Sequence, residues 1–191
     1  MRQFDKISAL NPLPFDGFAE ALLGTFEVAL EPPESLQTSA DLNELLTRWG
    51  LAKSAKATSA DVAAVRNARE AVRSLFDGKR DEEERIEQLN DLLGKAPIAL
   101  QFGTGSPTLE LKIVTLKDAT IVEQVRVASA VNLATAIMRH GFSRLRICEA
   151  VPCRDAFIDT SKKGSRRFCG GRCASRWHVS AFRTRQRNDD D

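Results

Sequence analysis

Arg144-Leu145-Arg146-Ile147-Cys148-Glu149-Ala150-Val151-Pro152-Cys153 and, downstream, Arg166-Arg167-Phe168-Cys169-Gly170-Gly171-Arg172-Cys173 hold every cysteine of a 191-residue chain. The spacing is Cys-x4-Cys-x15-Cys-x3-Cys. Two close pairs separated by a loop form the usual pattern for tetrahedral zinc, each pair offering two thiolates from one turn. Two disulfides are the structural alternative, and unpaired thiols or another metal are a third. Disulfides fit poorly, because nothing marks the chain for export and the rest of it has no cysteine to staple. With Cys148, Cys153, Cys169 and Cys173 as ligands the shell is full, so one structural zinc ion is expected, with no open position for a substrate. Residues 141–175 carry few large apolar groups. Metal binding, on the order of 10–16 kcal/mol in small zinc peptides, is therefore expected to decide whether this segment folds.

Charge is distributed unevenly around these cysteines. The whole chain carries a net +2, yet residues 1–140 hold 16 Lys+Arg against 20 Asp+Glu, and Arg144 to Arg187 hold 12 against 3. A mildly acidic body with a basic end suggests a negatively charged partner for that end. From Cys173 to about Arg187 the sequence reads as a helix. Trp177, Ala181, Ala174 and Phe182 fall on one arc, expected to pack on the zinc module and the body. Arg176, Ser180, Arg183 and Arg187 fall on another. Arginine pairs bidentately with phosphate and with guanine edges. Arg176, Arg183 and Arg187 are thus the first candidates for nucleic-acid contact, followed by Arg166, Arg167 and Arg172, with Lys162 and Lys163 available to the phosphate backbone. Trp177 reads as core. His178 reads as a partly exposed helix residue, since four thiols already fill the metal site, and His140 as a complement to a helix C-terminus.

Upstream, residues 1–140 read as one mainly helical domain. Ala19 to Leu30 suggests a helix closed by Pro32-Pro33. Ser39 begins a second, with Leu42, Leu45, Leu46 and Trp49 at helical spacing before Gly50. Ser59 opens a third, whose Val62, Val65, Val72, Leu75 and Phe76 form the buried stripe and whose Arg66, Arg69 and Arg73 are expected to face water. Asp81 opens a fourth with three acids in its first turn, where the helix dipole favours them. Its stripe is Ile86, Leu89, Leu92 and Leu93. The period then changes. Ile98–Phe102 and Leu109–Val114 read as strands joined through Gly103-Thr104-Gly105-Ser106-Pro107, a β-hairpin near 98–114 that should pack on the helices or pair with a further strand. Asp118 is the expected cap of a long helix to about Arg139, with Gly141 as its stop. The fold class is therefore mainly α with a small β-hairpin (α+β), plus a C-terminal four-cysteine module, residues 141–191, ending in a basic helix. No apolar run approaches the roughly 18–20 residues of a membrane helix. The N-terminus has no secretory pattern, so a cytoplasmic location and no membrane partner are expected.

At the cysteine segment the sequence resembles the CGNR zinc-finger family. The resemblance lies in Arg144-Leu145-Arg146-Ile147-Cys148, Cys153, Phe157-Ile158-Asp159-Thr160-Ser161 and Ser165-Arg166-Arg167-Phe168-Cys169. The family's Cys-Gly-Asn-Arg tetrapeptide reads here Cys173-Ala174-Ser175-Arg176, keeping the first and last residues. The layout of the upstream helices, with Leu89-Asn90-Asp91-Leu92-Leu93, Ala96-Pro97 and the hairpin, resembles the ABATE-type domain that accompanies this finger in bacterial proteins. The resemblance implies a stress-response transcription regulator, with DNA binding by the finger and effector sensing or assembly by the N-terminal domain.

No phosphate loop, nucleophile elbow or dinucleotide fingerprint is present, and Glu82, Glu83 and Glu84 point around a helix instead of converging, so an enzyme is not expected. The expected partner is nucleic acid, double-stranded DNA first, together with a small-molecule effector. A homodimer would suit a palindromic site. The alternatives are a zinc-stabilised protein–protein interaction module and a small-molecule sensor that does not bind nucleic acid itself.

Overall fold

Four helices begin on the same local device. In each, a Thr or Asp accepts the backbone N–H three residues on, and the acid at that position accepts the N–H of the cap. The pairs are Thr38/Asp41 for α2 (Ser39–Arg48), Thr58/Asp61 for α3 (Ser59–Ser74), Asp81/Glu84 for α4 (Glu82–Leu93) and Thr120/Glu123 for α5 (Ile121–His140). Each box satisfies helix-end donors that would otherwise be orphaned and contributes about 1 kcal/mol. The computed structural model describes residues 16–51, 56–94, 98–104, 109–115 and 119–189. Asp118, the expected cap of the long helix, lies outside them.

The body is built around α5. Its middle is buried nearly all round, with Val125, Val127, Ala128, Ala130, Val131 and Leu133 in the core, and it packs against α1 (Phe18–Leu23), α3 and α4. The buried hydroxyls of Ser129 and Thr135 donate to the carbonyls of Val125 and Val131 at 2.8 and 2.7 Å. Asn132, also buried, accepts the Ala19 amide at 3.0 Å and so caps α1, whose own cap position is Gly17. By length and composition α5 could cross a membrane, which the sequence reading did not anticipate; here it is the central helix of the core.

The first helix is shorter than expected. It ends at Leu23, where Gly24 closes it and the Thr25 hydroxyl donates to the Leu22 carbonyl. The chain then doubles back, pairing Phe26 with Glu34. The arginines of α3 hold this loop and do not simply face water. Arg69, 3% exposed, grips Glu34 with two nitrogens at 2.9 and 2.6 Å and donates to the Thr25 hydroxyl at 2.7 Å. Arg66 donates twice to the Leu36 carbonyl, and Arg73 reaches the Leu23 and Phe26 carbonyls. In α4, Leu92 is buried and Leu89 and Leu93 are partly so, but Ile86 is exposed. Arg85 is buried instead. Its guanidinium binds the Leu75 carbonyl at 3.1 and 2.7 Å and lies over the Phe142 ring.

Strands β1 (Ile98–Thr104) and β2 (Leu109–Thr115) form the expected antiparallel hairpin, Ile98 opposite Thr115 and Thr104 opposite Leu109. Gly105, Ser106 and Pro107 of its turn lie outside the described residues. Among those described, the sheet has two strands, and Ile98 and Leu100 stay exposed.

Past α5 comes a pair of three-residue strands, β3 (Leu145–Ile147) and β4 (Ala156–Ile158), antiparallel, with Leu145 opposite Ile158. Phe142, Leu145, Ala156 and Ile158 belong to the same core as the helices. The Ile158 amide donates to the Glu20 carboxylate of α1 at 2.9 Å. The base of the cysteine segment is thus fastened to the body. The last element is α6 (Gly171–Asp189).

Candidate zinc centre and its basic helix

The β3–β4 hairpin carries the first cysteine pair at its end. Cys148 follows β3, and its amide donates to the Asp155 carbonyl at 2.8 Å, prolonging the ladder by one bond. The turn beyond it returns the chain through Cys153. The second pair comes from the start of α6, with Cys169 just before the helix and Cys173 in its first turn.

Between the pairs, the loop from 159 to 168 is organised by Asp159, which is completely buried. Its carboxylate accepts the amides of Ser161 and Arg166, both at 2.9 Å, with Arg144 and Arg146 at 3.9 Å. Burial alone would raise this carboxyl; those hydrogen bonds and the Arg144 charge outweigh it and hold it at about 2. Arg144 also donates to the carbonyls of Asp159 and Ser161 and lies against Gly164, whose φ of 62° favours glycine and where a side chain would have to displace that guanidinium.

The four Sγ atoms lie within 4.8 Å of one another. Cys153 and Cys169 are 3.7 Å apart, and Cys169 and Cys173 are 3.6 Å apart. Zinc–sulfur bonds of about 2.3 Å place tetrahedral thiolates about 3.8 Å apart, whereas a disulfide needs about 2.05 Å. All four cysteines are free. The donor set therefore fits one structural zinc ion, with Cys148, Cys153, Cys169 and Cys173 as its ligands. Burial pushes the Cys153 thiol up to about 12 and raises Cys169 as well. Cys173 moves the other way: burial opposes it, but hydrogen bonds from Cys169 and Arg176 win and favour its thiolate. A small apolar cluster wraps the site, built of Ala150 and Phe157 with Phe168 and Trp177 packed against it.

The basic residues divide into two groups. Arg176 donates to the Cys173 sulfur at 3.1 Å. Arg167 pairs with Glu149 at 2.6 Å and lies 4.7 Å from the Trp177 ring centre. Arg166 lies over Phe157, with its side chain donating to the Phe168 and Cys169 carbonyls. These three help to build the finger. Arg172 and Arg183 are exposed on α6. Arg187 is on the same helix, but its side chain lies outside the described residues. Trp177 is half-buried against Phe168, as expected of a core residue. Phe182 is not packed on the body as its arc suggested; it is 54% exposed, because at the far end of that arc it lies about 100° beyond Ala181 and faces outward. His178 stacks edge-on against Trp177, apart from the ligand cluster. The roles of Asp159 and Glu149 were not among those expected. Asp159-Thr160-Ser161 carries the signal of a side chain capping its own turn; Glu149 carries none, since its partner Arg167 is far away in sequence.

The family profile for the CGNR zinc finger matches residues 144–186. The ABATE profile, described as "Putative stress-induced transcription regulator", matches residues 17–137, well over half of the chain. A search of the curated proteins finds no match. The chain belongs to the ABATE family and carries a CGNR zinc finger built on Cys148, Cys153, Cys169 and Cys173.

Proposed function

We propose that the chain is a transcription regulator that binds duplex DNA through its finger, with residues 141–191 as the reading module and residues 1–140 as a body that senses an effector or mediates assembly. The observation that carries this reading is the course of α6. The first turn is anchored at the thiolates and carries Arg172, and the helix beyond it presents Arg183 and Arg185, all three exposed, on a segment with few acids. Such a cationic helix suits the phosphate backbone and the major groove. Arg187 extends the same charge. Arg166, Arg167 and Arg176 keep exposed surface and add to the local positive field while holding the finger together.

The body's part is supported by a cleft of about 690 Å³ where α1 and the loop after it meet the finger, lined by Glu20, Glu27, Asp155 and Arg172 with Cys153 and Cys173. A molecule seated there touches both parts of the chain at once, which is what coupling an effector to the finger requires.

The test is binding of zinc-loaded full chain to a random-sequence duplex, followed by fluorescence anisotropy. Binding that disappears on chelation and returns with zinc is the expected result. A zinc-loaded chain that ignores duplex DNA at low salt contradicts the reading and favours a protein partner for the arginine face.

A further inference from the structure

The outward side of α6 is not purely cationic. At about 100° per residue, Arg172, Val179, Phe182, Arg183 and Gln186 fall within an arc of about 100°, opposite the arc of Cys173, Trp177 and Ala181 that meets the finger. All five are exposed. Val179 and Phe182, three residues apart and so neighbours on the helix surface, are 50% and 54% exposed. An exposed valine alone needs no explanation. An apolar pair beside an amide, edged by arginines, on a helix that carries five arginines, has the composition of a surface that meets base edges. Phosphate contacts alone would call for cations only.

We propose that Val179 and Phe182 are specificity-determining residues that contact thymine methyl groups in the major groove, with Gln186 reaching the adenine edge and Arg172 and Arg183 holding the flanking phosphates. The inference rests on the DNA-binding reading above and adds the class of site, one containing A·T pairs. The chemistry matches on each count. The thymine C5-methyl is the apolar feature of the major groove, and glutamine pairs with the N6 and N7 of adenine. Val179 to Gln186 spans about 10 Å along the helix, the length of about three base-pair steps. The charge complementarity is that of a segment carrying 12 basic against 3 acidic residues between Arg144 and Arg187. A second copy of the chain laid against this face would bring like charges together.

The experiment uses the zinc-loaded full chain. A duplex is selected from a random pool, and its affinity is measured before and after thymine is replaced by deoxyuridine, which removes only the methyl. The wild type is expected to weaken about fourfold for each contacted methyl. Phe182→Ala and Val179→Ala, with normal zinc content and helicity because both residues are exposed, are each expected to bind the thymine duplex more weakly and to show a smaller difference between thymine and uracil than the wild type. A wild type indifferent to the methyl overturns the proposal. So does a Phe182→Ala variant that weakens both duplexes equally while a dimer dissociates in sedimentation, which assigns Phe182 to self-association. A preference for single strands, where aromatic side chains stack on bases, also overturns it. Failure to bind any duplex appears before the uracil step and refutes the underlying reading.

Discussion

The guanidinium of Arg176 donates to the sulfur of Cys173 at 3.1 Å, one turn along the same helix. Four thiolates on Zn²⁺ leave a formal double negative charge, and a donor at one sulfur reduces it. The arginine that survives in Cys173-Ala174-Ser175-Arg176 is therefore a support of the metal. Arg176→Ala is expected to weaken zinc binding about 10–100-fold, measured as faster transfer to a chromogenic chelator, and Arg176→Lys should fall between. If Arg176 served DNA alone, zinc transfer would not change.

Asp159 is the second support. Asp159→Ala removes the acceptor of the part-buried Ser161 and Arg166 amides, at about 1 kcal/mol for each. The melting temperature should fall by about 2–4 °C per kcal/mol in a chain of this size. The folded carboxyl lies below its ordinary 3.8, at about 2. Its contribution is thus complete above about pH 4 and is lost as pH falls toward about 2. Thermal denaturation of both proteins at pH 7 reads the full difference; equal melting temperatures would show that the loop does not depend on Asp159.

In the body, the Arg69–Glu34 pair ties α3 to the loop after α1. Removing one partner of a fully buried pair costs about 3–5 kcal/mol; Glu34 is partly exposed and keeps Arg66 at 3.5 Å, so Arg69→Ala should cost less than that and shift the urea midpoint downward. Burial would raise the Glu34 carboxyl, but Arg69 and the Leu36 amide lower it. The pair accordingly stabilises above the ordinary carboxylate range and weakens as pH falls through it. A midpoint unchanged by Arg69→Ala would rule out the clamp.

Much of this was legible in the sequence because it is local. Cysteine spacing marked the metal site, and the capping residues lay within a residue or two of where helices were expected to start. The strands at 98–104 and 109–115 announced themselves by a change of period. What was not legible depended on distant partners. Arg66, Arg69, Arg73 and Arg85 look like solvent-facing charges until the carbonyls of Leu36, Leu23 and Leu75 and the carboxylate of Glu34 are brought to them. Strands β3 and β4, three residues each, are too short to show alternation. Phe182 lies at the far edge of the expected arc of α6, and periodicity alone does not say how much of an arc is covered.

DNA binding by a zinc-anchored arginine helix is read from the salt dependence of affinity for a random duplex. That measurement compares wild type with Arg172→Ala/Arg183→Ala, both fully zinc-loaded, between about 50 and about 200 mM salt. Each phosphate contact contributes about 0.9 to the slope of log K against log salt. The wild type should bind with a steep negative slope, and the double variant should bind more weakly with a slope shallower by about 1.8. A zinc-loaded wild type that does not bind at the low-salt end, or a slope unmoved by removal of both arginines, rules out DNA binding through this helix.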